Sequence, residues 1–126
     1  MKHSSRRGFT LIELLVVLAI IAVLATLAMP KYFQSIDTAK EAVLLENLRL
    51  TRDTIDKFYA DTGSYPDSLD ELVDKKYLRT VPLDPITESR TTWILAAPDE
   101  PARGRVAGIS SGAEGRDRNG TPFGAL

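Results

Sequence analysis

Residues 6–30 read RRGFTLIELLVVLAIIAVLATLAMP, and everything between Gly8 and Pro30 is one apolar run of 21 residues. At 1.5 Å rise per residue that run makes about 31 Å of helix, which matches the hydrocarbon thickness of a bilayer. Lys2, Arg6 and Arg7 precede it and no acid does. That asymmetry predicts a cytoplasmic N-terminus, with the rest of the chain beyond the inner membrane. An ordinary secretory signal has a shorter apolar region followed by a small-residue cleavage site. Here the run is longer, and no A-x-A sequence closes it before Pro30.

A plain signal anchor accounts for the length and leaves two residues unexplained. Gly8 stands directly between the charged leader and Phe9. Glu13 is the one ionisable side chain in the run, where insertion scales put the cost of a carboxylate at about 3 kcal/mol. Nothing within the helix can pair with it. Cleavage after Gly8 would give Phe9 a free ammonium group, and that group on one copy could neutralise Glu13 on its neighbour. The alternative is an anchor that tolerates a Glu near its interfacial end, where a carboxylate partly escapes the hydrocarbon. Position alone does not separate the two.

The stretch RRGFTLIELLVVLAIIAVLATLAMP closely resembles the class III signal of type IV pilins and type II secretion pseudopilins. The resemblance implies cleavage after Gly8 by a prepilin peptidase, N-methylation of the new Phe9 amine, and a role for Glu13 in subunit registration. It also implies a helix kink at Pro30, which makes Phe9, Glu13 and Pro30 the expected assembly residues.

The remainder of the 126 residues has room for one small core. Residues 31–63 continue the helical pattern: Ile36, Val43, Leu44, Leu48, Thr51, Ile55, Phe58 and Tyr59 recur at three- and four-residue spacings as an apolar stripe. Gly63 and Pro66 end it. Ser68 and Glu71 form a capping box for a short helix. Residues 91–96 (TTWILA) and 104–110 (GRVAGIS) have the β-branched content of strands, joined by a hairpin turn over 99–104. The expected architecture is α+β: a long helical stem packed on a small head of one short helix and an antiparallel sheet of two or three strands, with Trp93 as a plug. The expected divisions are a cleaved leader at 1–8, an assembly helix at 9–29, an amphipathic continuation at 30–62 and the head at 63–126.

Composition narrows the function classes. Removing Lys2, Arg6 and Arg7 with the leader leaves 13 of the 16 basic residues against 17 acidic ones, so no basic patch invites nucleic acid. Cysteine is absent and the one histidine, His3, lies in the leader. A mature chain without His or Cys lacks the commonest general base and the best nucleophile, which argues against an enzyme.

A second, narrower resemblance covers the head. TGSYPDSLDELVDKKYLRTVPLDPITES, a Trp-containing strand and the C-terminal SSGAEGRDRNGT look like the major, or G-type, pseudopilin of type II secretion. That resemblance implies a subunit that polymerises with itself into a short periplasmic filament, driven by an inner-membrane platform and its ATPase. Membrane lipid before assembly and minor pseudopilins are its other implied partners. It also implies a calcium site in the C-terminal loop, for which Ser110, Glu114, Asp117 and Asn119 are the candidate ligands. The loop departs from the family's pattern, since Glu114 stands where Asp is usual and Arg116 and Arg118 flank the candidates. A flexible polar tail is the competing reading of this stretch. Two other functions remain open: a type IV pilin for adhesion, motility or DNA uptake, and a membrane-anchored binding module that never polymerises.

Overall fold

The computed structural model describes residues 8–126. Its elements are α1 (Leu11–Thr62), α2 (Leu69–Asp74), β1 (Ile94–Ala96) and β2 (Gly108–Ser110), with short 3-10 turns at Pro101–Arg103 and Phe123–Ala125. The chain forms two compact units, one ending at Asp37 and the other running from Thr38 to Leu126, and α1 contributes to both.

In the first unit every described residue from 8 to 35 is exposed. Pro30 lies inside α1, so the Thr26 carbonyl has no amide four residues on to accept from. The Thr26 hydroxyl itself donates back to the Ala22 carbonyl at 2.8 Å. The helix is long and apolar enough to cross a membrane.

In the second unit, α1 buries one side. Leu44, Leu48, Thr51, Ile55 and Phe58 follow the spacing of a single helix face and are all under 3% exposed. They meet Leu69 and Leu72 of α2, together with Leu78, Trp93, Val106, Ile109 and Phe123. Each buried aliphatic or aromatic side chain contributes roughly 1.5–3 kcal/mol. Thr51 and Thr54 fit this apolar face because their hydroxyls donate to the Asn47 and Leu50 carbonyls one turn back, both at 2.7 Å. Val43, expected in the stripe, is 49% exposed, and Thr54 takes a buried place instead. The reason is angular: residues 44, 48, 51, 55 and 58 define the centre of the face, and 43 falls to its side. The opposite side carries the exposed ladder Glu46–Arg49–Asp53, in which hydrogen bonding to the Arg49 guanidinium holds the Glu46 carboxyl below its ordinary pKa.

Gly63, at φ +79°, ends α1 in the left-handed conformation that glycine adopts without a Cβ penalty, and its amide donates to the Tyr59 carbonyl. The capping box forms with one shift. Ser68 Oγ accepts from the Glu71 amide at 3.2 Å, while Glu71 Oε2 accepts from Asp67, one residue before the cap.

The sheet has two strands, paired antiparallel with Ile94 opposite Ser110 and Ala96 opposite Gly108. Both strands are shorter than the sequence pattern predicts. Residues 104–106 turn to Pro66 instead, whose carbonyl accepts from Arg105 and Val106. Gly104, at φ +118°, packs so closely on the Tyr65 backbone that a Cβ there would overlap it. On the other strand Trp93 turns inward, buried, with its indole N–H donating to the Pro82 carbonyl at 2.8 Å. Asp84, also buried, accepts the Ser111 hydroxyl at 2.5 Å and the Ile86 and Thr87 amides. That set satisfies a carboxylate that would otherwise be costly to bury.

Leu48→Ala should destabilise the Thr38–Leu126 unit by about 2–5 kcal/mol, because it opens a cavity at the centre of the α1 face. The fluorescence of Trp93, the one tryptophan, reports the loss in a denaturant titration of the full chain in detergent.

Candidate functional site

Among the described residues a Cβ built on Gly8 meets nothing within 4 Å, and Phe9 is 87% exposed. Helix α1 starts immediately after Thr10 because that residue caps it. Thr10 Oγ1 accepts the Glu13 amide at 3.1 Å, and the Thr10 carbonyl accepts Leu14. Glu13 is therefore the third helical residue, inside the first turn, where the helix dipole favours a carboxylate. Among the described residues its side chain has no ion-pair partner, and the chain itself does not pair it with Phe9. From Leu11 through Met29 the large apolar side chains are about half exposed or more. A continuous surface of this kind marks contact with lipid or protein. The leader residues Lys2, His3, Arg6 and Arg7 lie outside the described residues.

The C-terminal loop is closed by bonds of its own. Asp117 Oδ1 accepts the Asn119 and Thr121 amides, and its backbone exchanges bonds with Gly120 and Thr121. Arg116 Nη1 donates to the Gly120 carbonyl at 2.7 Å. Arg118 reaches α1, its backbone N–H and Nε each donating at 3.0 Å to one oxygen of the Glu41 carboxylate. Ser110 lies in β2, while Glu114 and Asn119 are exposed.

The family described as the prokaryotic N-terminal methylation motif matches residues 3–29. Over 119 residues the chain is 28% identical to a type II secretion system core protein G of Klebsiella michiganensis, covering 92% of this chain and 82% of that one. It is 31% identical over 101 residues to the protein of the same description in Pseudomonas aeruginosa, covering 68% of this chain and 71% of that one. The chain belongs to the type II secretion core protein G family. No solved structure matches it.

For this G-type chain the calcium expectation meets a poor donor set. Calcium takes six to eight oxygens. Of the four candidates, Asp117 already shares Oδ1 between two amides, and the nearby Gly120 carbonyl is held by a guanidinium. Among the described residues there is no group of three or more His, Cys, Asp or Glu placed to hold a metal ion. Two loop oxygens, Asp117 Oδ1 and the Gly120 carbonyl, are thus engaged within the protein.

Three features were not anticipated from the sequence. Thr10–Glu13 has the S/T-x-x-E spacing of a capping box, the same signal that marks Ser68–Glu71. The Asp84–Ser111 bond spans 27 residues and the Glu41–Arg118 bond 77. No local pattern announces either. Thr10→Ala should fray the first turn, costing that end of the helix about 1 kcal/mol. Hydrogen exchange in micelles should then show faster amide exchange at Glu13 and Leu14, with the head unchanged.

Proposed function

We infer that this chain is a structural subunit of a type II secretion pseudopilus, processed by prepilin peptidase and polymerised through its N-terminal helix to drive protein export across the outer membrane. Its work is mechanical. The carrying observation is the exposed apolar helix from Leu11, capped two residues after Gly8, in a chain 31% identical to a type II secretion core protein.

The peptidase cuts after Gly8, a residue with open space around it among the described residues. Phe9 then becomes the N-methylated first residue and gains an amine. Before assembly the apolar run sits in the inner membrane, with its N-terminus cytoplasmic and the head in the periplasm. An inner-membrane platform and its ATPase then lift the subunit out of lipid, and minor pseudopilins join the same filament. In the filament the lipid-facing side chains turn to other copies. The Phe9 amine of one subunit neutralises Glu13 of the next, removing the cost of an unpaired carboxylate in an apolar bundle. Secretion is favoured over a surface pilus because both relatives carry a secretion-system description.

Mass spectrometry of the native N-terminus tests the processing steps. A chain starting at methylated Phe9 is expected, and an intact leader would refute the reading. Glu13→Gln tests assembly: the variant should be processed and its head should melt as in wild type, yet filaments should be lost. Normal filaments in Glu13→Gln would refute a role for Glu13 between subunits.

A further inference from the structure

The loop that the resemblance assigns to calcium carries two arginines, and both are engaged. Arg116 bonds across the turn to the Gly120 carbonyl. Arg118 carries its guanidinium to Glu41 on α1, whose side chain is only 15% exposed. The loop's ends are pinned as well: Ser111 and Phe123 are buried, and Arg52 donates to the carbonyls of Ile109 and Leu126. A bound cation in such a loop gathers carbonyls and carboxylates around one positive charge. Here positive charge comes from the protein, and one Asp117 oxygen, Oδ1, already accepts the Asn119 and Thr121 amides.

We propose that Arg116 and Arg118 close this loop in place of a bound cation, so that the head of this chain holds its fold without calcium. The bidentate contact to Glu41 is the decisive one, because it fastens the loop to the stem across 77 residues of sequence. Arg suits the position better than Lys, since its planar, delocalised guanidinium presents the Nε–H in a fixed direction. The pair is largely shielded on the Glu41 side, so salt screens it less than an ordinary surface pair. The inference does not depend on filament formation.

The test uses the full chain in detergent, with Trp93 fluorescence for melting and limited proteolysis for the loop. Calcium chloride alone, at millimolar concentration, should leave the Tm where EDTA leaves it, and titration calorimetry with calcium alone should give no saturable heat. Arg118→Ala should lower the Tm by a few degrees and open residues 113–121 to cleavage. Arg118→Glu should do the same, and adding Glu41→Arg to it should restore part of the protection. A Tm raised several degrees by calcium in the wild type would overturn the proposal. So would an Arg118→Ala loop as resistant to protease as the wild type.

Discussion

An apolar helical surface left exposed among the described residues governs this protein. Residues 11–29 have the length of a bilayer crossing, and every one of them is exposed. Water is not a tolerable solvent for such a surface, because about 25 cal/mol is lost for each Å² of apolar area left wet. Lipid and protein are the two media that remain. A secretion subunit uses both in succession, and the change of medium is the assembly step.

That constraint explains the division of labour along α1. Its later part obeys the ordinary rule for a helix of a small domain, burying Leu44, Leu48, Thr51, Ile55 and Phe58 and leaving charges outside. The head is only large enough to cover that one face. Its sheet has just two short strands, and the surrounding loops are held by specific bonds: Trp93 to Pro82, Asp84 to Ser111, Arg118 to Glu41. In so small a core these polar ties replace a share of the packing that a larger domain would supply.

The stem, the short capped helix and the buried Trp93 were legible in the sequence because each rests on local spacing. The spacing places Val43 in the stripe while the structure leaves it exposed, since periodicity locates a face better than its edge. The second strand is shorter than expected because Gly104 and Val106 dock on Tyr65 and Pro66. β-propensity cannot foresee that competition. The Glu41–Arg118 bond was invisible for the same reason, its partners lying 77 residues apart. Thr10 is different: its capping pattern with Glu13 is local, a T-x-x-E spacing that lies inside the apolar run.

Glu13 is proposed to find its partner on another copy. A high-resolution electron cryomicroscopy map of the native filament tests it most directly, through the distance between the Phe9 nitrogen of one subunit and the Glu13 carboxylate of its neighbour. A contact within about 4 Å is expected, with residues 11–29 buried among helices of other copies. A Glu13 carboxylate paired inside its own subunit, or an apolar run still facing outward in the assembled filament, would contradict it.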